Sequence, residues 1–445
     1  MKIHYIKSSC VVIESQGVKI MSDPWLVDGE YYGSWCHYPK LEFDKEFFDS
    51  IDYIYVSHIH PDHFSKKSFA ILNKEIPVLI HKYSSPFLKL NIERLGFKVT
   101  ELNHNTKTHL KNGLSIDILA ADNCNPALCS KFMGCGIVET DYKFTQIDSL
   151  AVISDGTHNI LNLNDCPIGL AKEAVTVVKS KYKKIDFLLV GYAGAGPYPQ
   201  CFEMTDSDRK LAEESKKKQF LSQGEKYIEL VNPKFYMPFA GTYNLAGNLS
   251  KLNDNRGVPE LEEAVSYFKN SNCIDQSNTS SVVLNTYEYF DLSIEKYSKK
   301  YIPINLEEKR SYVNNVLSKI KFDFDEDEEP TLNEIIDLVP AAYNRFEQKR
   351  IEINFSSKTK LFIKLDNTNY IKISFDGTKP RIVNSINNFT PRVEYNLSNK
   401  LLKRILKGPR YAHWNNAEVG SHIKFNRVPN TFERALYHTI CFFHA

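Results

Sequence analysis

Apolar positions in the first half of the chain alternate between the two-residue period of strands and the longer period of helices. Residues 51–57 form an apolar, β-branched stretch that is typical of a buried strand. The other predicted elements of this half are paired strands over 11–14 and 18–22, strands over 78–81 and 96–100, and helices over 68–72, 85–95 and 206–231. Strands that alternate with helices in this way indicate an α/β fold in which helices cover packed sheets.

The pattern changes after residue 250. Residues 251–330 are polar, with a predicted helix over 258–269 and an acidic run over 323–330 that is typical of a solvated linker. In residues 331–445 strand-like and helix-like segments alternate again. The predicted helices cover 333–346, with a break at Pro340, and 397–406, and the predicted strands cover 361–365 and 370–374. We predict a catalytic domain over 1–250, a polar, partly helical extension with an acidic linker over 251–330, and a smaller C-terminal α/β domain over 331–445.

The strand over 51–57 leads directly into the run His58-Ile59-His60-Pro61-Asp62-His63. Three imidazoles and a carboxylate at this density are typical of a site for borderline or hard cations. His58 and His60 alternate and can point to one ion, while Asp62 and His63 can face a second. The run therefore predicts a two-metal site, in which a bridging water loses a proton near neutral pH.

The spacing His-x-His-x-Asp-His after a strand resembles the signature of the metallo-β-lactamase superfamily. Four further segments follow in the order seen in the catalytic domain of the CMP-N-acetylneuraminate hydroxylase family, close to the lactonase-like branch: 21–26, 160–166, 192–199 and 238–241. The resemblance covers roughly residues 1–250. It implies an αββα metallo-β-lactamase sandwich, here followed by the smaller C-terminal α/β domain, which weakly resembles sterol-carrier domains.

The resemblance implies a set of metal ligands that only partly matches this chain. Five residues match, namely His58, His60, Asp62, His63 and Asp165, with Asp165 as the bridging carboxylate and Asp62 also in a catalytic role. Where the pattern has a fourth histidine, Asp122 or Asn125 lies nearest, and after Phe239-Ala240-Gly241 no histidine follows.

Three hypotheses account for this departure. Oxygen ligands from Asp122 or Asn125 would favour iron or manganese over zinc. The site could instead hold one ion firmly and a second loosely. A histidine from elsewhere could also enter the site, the candidates being His104, His109 and His158. Three nearby cysteines, Cys124, Cys129 and Cys135, could be soft ligands, although their spacing is more typical of small buried thiols.

Two divalent metal ions are expected, with iron favoured and zinc or manganese as alternatives. The resemblance implies a di-iron oxygenase that hydroxylates a small polar or sugar-nucleotide-like molecule. The chain lacks a Cys-x-His paired with Cys-x-x-His, the pattern of an iron-sulfur module, so an external electron-transfer protein would supply the electrons. The alternatives are a binuclear hydrolase of lactones, esters, amides or phosphodiesters and a degenerate, non-catalytic binding protein.

Aromatic and polar residues outside the histidine run are candidates for substrate binding. Tyr192 and Tyr243 lie on segments that the resemblance places around the cleft. In the C-terminal domain, His413, Asn415 and Asn416 could reach back to the cleft, or could begin a helix with its caps. A domain of this kind can also mediate dimerisation, so a homodimer is among the expectations.

The amino-acid composition indicates which classes of binding partner and which cellular location to expect. A net charge of +2 over 445 residues argues against nucleic acid as the main ligand. Nine cysteines without a framework do not predict disulfides, and neither a signal peptide nor a membrane span is evident. We therefore expect a cytoplasmic enzyme without a membrane partner.

Overall fold

The computed structural model describes residues 1–136, 148–241, 243–386 and 388–445. The strands in these ranges are β1 (Lys2–Lys7), β2 (Cys10–Ser15), β3 (Val18–Ser22), β4 (Trp35–Cys36), β5 (Tyr53–Tyr55), β6 (Val78–His81), β7 (Val99–Leu102), β8 (Thr108–His109), β9 (Ser115–Ala120), β10 (Ser149–Ser154), β11 (Asn159–Asn162), β12 (Phe187–Gly191), β13 (Phe235–Phe239), β14 (Asn244–Leu245), β15 (Ser280–Ser281), β16 (Tyr289–Asp291), β17 (Lys296–Tyr297), β18 (Ser357–Lys364), β19 (Tyr370–Phe375), β20 (Arg381–Val383), β21 (Arg392–Asn396) and β22 (Lys424–Val428).

The helices connect and cover these strands. They are α1 (Glu30–Gly33), α2 (Lys45–Asp49), α3 (Lys66–Phe69), α4 (Phe87–Glu93), α5 (Pro126–Met133), α6 (Ile168–Lys181), α7 (Asp206–Val231), α8 (Leu261–Lys269), α9 (Leu306–Asn315), α10 (Leu332–Ile336), α11 (Val339–Glu352), α12 (Asn399–Leu406), α13 (Trp414–Val419) and α14 (Arg434–Ile440). Short 3-10 helices cover Lys111–Gly113, Gly247–Asn255 and Leu317–Lys319. No helix of the described ranges is long and apolar enough to cross a membrane.

Two sheets packed face to face form the N-terminal part. The strand order is β17-β16-β1-β2-β3-β5-β6-β7 in the first sheet and β15-β13-β12-β11-β10-β9-β8 in the second. Apolar side chains from both inner faces form one core, for example Ile20 and Tyr55 of the first sheet with Ile118 and Leu189 of the second. Helices α2, α3 and α4 cover the outer face of the first sheet, and α6, α7 and α8 cover the second. This is the predicted αββα sandwich.

The sheets extend beyond the predicted boundary at residue 250. Strand β15 pairs with β13 of the second sheet, and β16 pairs with β1 of the first. The acidic run also differs from a solvated linker, because the guanidinium of Arg404 lies 2.5 Å from the carboxylate of Asp327, and Phe322 and Phe324 are buried. Although residues 251–330 are polar in composition, they contain strands that extend both sheets.

The C-terminal domain is a five-stranded sheet in the order β20-β19-β18-β21-β22, covered by α11, α12 and α14. Pro340 lies in the first turn of α11, where its missing N–H costs no hydrogen bond, so the helix break falls just before it. The core of this domain continues into the N-terminal part, because Trp414 and Phe425 belong to the same apolar cluster as Trp25 and Trp35. The two parts thus enclose a common cleft.

Candidate metal centre

Strand β5 is a buried parallel strand between β3 and β6, and it ends just before the histidine run. A tight turn follows, in which the backbone N–H groups of His63 and Phe64 both donate to the carbonyl of His60. The turn brings the four side chains of the run to one edge of the sandwich. The loops after β11 and before β10 reach the same edge and supply Asp165 and Asp148.

The structure brings the five residues of the predicted set close together. His58 Nε2 lies 2.9 Å from His60 Nδ1, while His63 Nε2 lies 3.2 Å from Asp165 and 3.4 Å from Asp62. Among the described residues, potential ligand atoms within 4.8 Å of one another form two groups here, His58-His60-Asp148 and His58-His63-Asp165. His58 belongs to both groups, so the two positions are neighbours. Such a pair suits two ions held side by side.

Each imidazole uses its outer nitrogen for a hydrogen bond and presents the other to the centre. His58 Nδ1 donates to the hydroxyl of Ser57 at 2.9 Å, and His63 Nδ1 donates to the carboxylate of Asp23 at 2.8 Å. His60 Nε2 donates to the side-chain oxygen of Asn415 at 3.0 Å. The facing nitrogens of His58 and His60 therefore both carry lone pairs, which is the arrangement that metal-binding histidines need.

Asp23 accepts hydrogen bonds from Ser57, which holds the ring of His58 in place, and from His63 itself. It is fully buried and accepts three hydrogen bonds, from the Ser57 backbone at 2.8 Å, the Ser57 hydroxyl at 2.7 Å and His63. Burial raises the pKa of its carboxyl, although these bonds and the neighbouring His63 favour the ionised form. Sequence reasoning missed Asp23, although it stands in the Ser22-Asp23-Pro24-Trp25 segment of the resemblance.

The electrostatics of the centre favour positive charge. Burial lowers the pKa of His63, but the carboxylates of Asp165, Asp62 and Asp23 outweigh burial and raise it well above its usual value. The pKa of His58 is lowered, because burial and the two neighbouring imidazoles disfavour a proton there. A cation at the Nε2 of His63, whether proton or metal, is thus stabilised, while His58 keeps a free lone pair.

Asp62 has a second partner in the loop of α1. The hydroxyl of Tyr31 donates to its Oδ1 at 2.5 Å, and Tyr31 and Tyr32 both adopt positive φ, 50° and 63°. Non-glycine residues in this region carry a backbone cost that the surroundings must offset. Although burial raises the pKa of Asp62, His63 and His60 lower it more, so the carboxylate is ionised.

Asp148, which sequence reasoning did not identify, supplies the third carboxylate. Its Oδ1 lies 3.5 Å from His58 Nε2. Asp122 is fully buried and accepts from the backbone of Cys124, and it belongs to neither ligand group of the centre. The side-chain oxygen of Asn125 caps α5 by accepting from the backbone of residues 127 and 128. The structure therefore does not bring Asp122 and Asn125 into the centre, because both serve their own loop.

The alternative histidines and the cysteines also lie outside the two groups. His158 faces Asp155 in the turn after β10, and His109 is exposed on β8. His104 contacts His81 and, with Cys124, forms a separate cluster. Cys129 is buried beside Ala120, and Cys135 is partly exposed. The segment after Gly136 up to residue 147 and Thr242 lie outside the described residues.

A cavity of about 890 Å³ opens onto the centre between the two domains. Its walls include His60 and Asp148 from the N-terminal part, and His413, Asn415 and Asn416 from the C-terminal domain. His413 also caps α13 by accepting from the backbone of Asn415, as the helix-cap alternative predicts, while substrate contact by this patch stays a prediction. Burial raises the pKa of Glu418 on the same wall to about 8, which leaves a neutral carboxylic acid at pH 7.

The two tyrosines predicted to contact substrate have packing roles instead. Tyr192 is buried in the core between the second sheet and its helices. Tyr243 stacks on Trp35 with ring centroids 3.5 Å apart and lies under the guanidinium of Arg256. Neither residue lines the 890 Å³ cavity. Contact with a substrate at these positions is therefore not supported, because both rings are enclosed by neighbouring side chains.

Replacing Asn415 with alanine is expected to weaken metal binding without unfolding the chain. The change removes the acceptor that orients His60, and loss of such an outer partner lowers metal affinity about 10–100-fold. The measurement is competition for metal against a chelator. Asn416→Ala on the same helix is the matched control, and equal affinities in both variants would contradict the role of Asn415.

Comparison with known proteins agrees with this geometry. Residues 2–119 match the family model of the beta-lactamase superfamily domain. A Mycolicibacterium smegmatis protein provisionally named a Rieske 2Fe-2S iron-sulfur protein is 28% identical over 267 residues, covering 58% of this chain and 47% of that protein. The cytidine monophosphate-N-acetylneuraminic acid hydroxylase of Danio rerio is 23% identical over 283 residues, covering 59% of this chain and 42% of the hydroxylase.

Among solved structures, an isothiocyanate hydrolase from Delia radicum gut bacteria aligns with a TM-score of 0.45 and 13% identity. The alignment covers 65% of this chain and 99% of the hydrolase. The chain thus matches less than half the length of the two relatives named above but nearly the full hydrolase. Residues 2–119 thus match the beta-lactamase superfamily domain, and the two packed sheets with the histidine loop agree with that match.

Proposed function

We propose that this protein is an iron-dependent oxygenase that hydroxylates a small, polar, negatively charged molecule, with electrons from a separate protein. The observation that carries the proposal is the ligand set. Three imidazoles meet three carboxylates, and Asp148 provides a carboxylate beyond those of the predicted set. Oxygen-rich sites of this kind suit iron or manganese better than nitrogen-rich or sulfur-rich sites do.

The names of two relatives also support the proposal of an iron-dependent oxygenase. One of them is named a hydroxylase of a sugar nucleotide, and another carries the name of an iron-sulfur protein. This chain has no paired Cys-x-His and Cys-x-x-His pattern, so the proposed donor is an external electron-transfer protein. A homodimer remains a prediction.

The wall of the cavity supports a negatively charged substrate. Five basic residues lie among its described lining residues: Lys66, Lys67, Arg345, Arg410 and Arg434. Of the four acidic ones, Asp148 belongs to the metal centre, and burial raises the pKa of Glu418 to about 8 and that of Glu30 to about 7. The fourth, Asp323, pairs with Lys67 at 3.6 Å and so offsets one of the five basic charges. Tyr411 and Phe432 add aromatic surface on which a flat ring can stack. These features fit a phosphorylated or carboxylated compound.

Each residue of the proposed site has a distinct role. His58, His60 and Asp148 would hold one ion, and His63, Asp62 and Asp165 would hold the other. Bound iron would supply the capacity to activate dioxygen with external electrons. Tyr31 fixes the carboxylate of Asp62, and Asn415 fixes the ring of His60 from across the domain interface. Glu418, on the C-terminal wall of the cavity, can donate a hydrogen bond to substrate when it is protonated.

Purified protein is expected to contain iron and to consume dioxygen only when a reductant and an acceptable substrate are present. The measurements are elemental analysis and oxygen uptake with a chemical reductant, with CMP-N-acetylneuraminate as the first probe. The control omits the reductant. Stoichiometric zinc together with reductant-independent hydrolysis of lactones or esters would overturn the oxygenase proposal and favour the hydrolase.

Replacing Asp148 with histidine is expected to shift metal preference toward zinc, because the change exchanges an oxygen ligand for a nitrogen ligand. The measurement is the iron-to-zinc ratio after exposure to equal amounts of both metals, compared with the parent. Asp155→His, a turn residue outside the centre, is the control. An unchanged ratio in Asp148→His would remove the main support for iron.

A further inference from the structure

A separate group of ligand atoms lies outside the metal centre, in the cluster His81-His104-Cys124. His81 is the last residue of β6, His104 follows β7, and Cys124 follows β9. One ligand atom from each lies within 4.8 Å of the other two. The cluster shares no residue with the two groups around His58, and it joins loops from both sheets of the sandwich.

The spacing of the two imidazoles suits a single ion. His81 Nε2 lies 3.1 Å from His104 Nδ1. Two nitrogens bound to one tetrahedral ion at about 2.0–2.1 Å lie about 3.3 Å apart, so little movement is needed. The backbone N–H of Ala120 also points to His104 Nδ1, at 3.2 Å, and a bound ion would take the place of this hydrogen bond.

The outer nitrogen of His104 is held in the way that metal-binding histidines are held. Its Nε2 donates to the side-chain oxygen of Asn123 at 3.1 Å, which leaves the lone pair on Nδ1 and fixes the ring. His81 is buried, and its burial together with His104 lowers its pKa to about 4, so it is a neutral imidazole at pH 7. When the proton of the neutral His81 ring lies on Nδ1, its Nε2 presents a lone pair to the same point as Nδ1 of His104.

The thiol of Cys124 is the third potential ligand, and it lies on the solvent side of His81 and His104. Cys124 is exposed, so an ion has an entry path. Asn123 and Cys124 both have a φ of 54°, and two consecutive non-glycine residues in this region carry a backbone cost. Although the residue is exposed, partial burial of its sulfur and the carboxylate of Asp122 raise the pKa of the Cys124 thiol to about 11, so binding would release its proton.

We propose that His81, His104 and Cys124 form a second site, for one borderline divalent cation such as Zn²⁺, with the fourth position open to solvent. Two imidazoles and a thiolate select zinc, cobalt or copper rather than magnesium or calcium. The donor set differs from that of the carboxylate-rich centre, so the two sites would prefer different metals. An ion here would link the ends of β6, β7 and β9.

Cobalt provides a direct test, because a thiolate ligand gives Co²⁺ a charge-transfer absorption that imidazole and carboxylate ligands do not. The full chain is stripped with a chelator and titrated with Co²⁺. We expect the band to saturate at one equivalent, to disappear in Cys124→Ser and to persist in His58→Ala. Cys166→Ser is the control for the cysteine next to Asp165 and is expected to keep the band.

Zinc competition gives the second measurement. In the His58→Ala background, Cys124→Ser is expected to weaken Zn²⁺ binding by at least about 100-fold, beyond the effect of losing an outer partner. Cys273→Ser, an exposed cysteine elsewhere, is the matched control. A cobalt thiolate band that survives Cys124→Ser, or a parent protein without such a band, would overturn the second site and leave an ordinary hydrogen-bonded histidine pair. Neither outcome bears on the centre at His58.

Discussion

His58→Ala is expected to remove one metal ion from the centre and to lower turnover by at least about 100-fold. Nε2 of His58 lies within reach of both ligand groups, but its single lone pair can bind only one ion, because Nδ1 donates to Ser57. Loss of an outer partner alone costs about 10–100-fold in affinity or activity, and loss of a direct ligand must cost more. His60→Ala is expected to lose a single equivalent as well.

The measurements are metal content after dialysis against a weak chelator and turnover with any active substrate. His37→Ala is the control for loss of a buried imidazole, because His37 is equally buried and pairs with Asp28 away from the centre. Circular dichroism checks that each variant is folded. Two retained equivalents in His58→Ala would contradict a direct ligand role of His58.

Asp23→Asn is expected to lower metal affinity about 10–100-fold, or about 1.4–2.7 kcal/mol, although Asp23 belongs to neither ligand group. The carboxylate accepts from the Ser57 backbone, the Ser57 hydroxyl and His63. An amide turns one acceptor into a donor that faces another donor, so at least one of these bonds is lost. The ring of His63 and the hydroxyl that holds His58 both lose support.

Asp28→Asn is the matched control, since Asp28 also accepts from a backbone N–H and from an imidazole, both of His37. Chelator competition measures affinity, and thermal unfolding separates lost metal from lost stability. The role of Asp23 would be contradicted if both variants bound metal like the parent. A destabilised Asp23→Asn that still bound metal normally would make Asp23 a folding residue only.

Much of the site was predictable because it is local in sequence. His58, His60, Asp62 and His63 occupy six consecutive residues, so the strand before them and the spacing define the chemistry without distant contacts. Asp165 lies in the segment 160–166, which the resemblance singled out, and it follows strand β11. The sandwich followed from the same alternation, since helix and strand periods are properties of short segments.

The third carboxylate and the outer layer could not be predicted in the same way. Asp148 stands before β10 in no recognisable motif, and the choice of Asp122 or Asn125 rested on their nearness in sequence to an expected histidine. The side chain of Asn125 instead caps the N-terminus of α5, a role that asparagine before a helix commonly has. Tyr192 and Tyr243 belong to apolar clusters, a placement that depends on tertiary packing and that their segments alone did not predict.

The sequence by itself determined the class of fold, the metal loop and the kind of chemistry that this loop supports, because these depend on short-range periodicity and on ligands that are neighbours in the chain. Only the tertiary structure decided which carboxylate completes the centre, that Asn415 reaches His60 from 355 residues away, and that 251–330 adds strands to both sheets. Those contacts depend on which loops meet when the sheets pack and the C-terminal domain closes over them, and pairings between segments so distant leave no periodic signal in the chain.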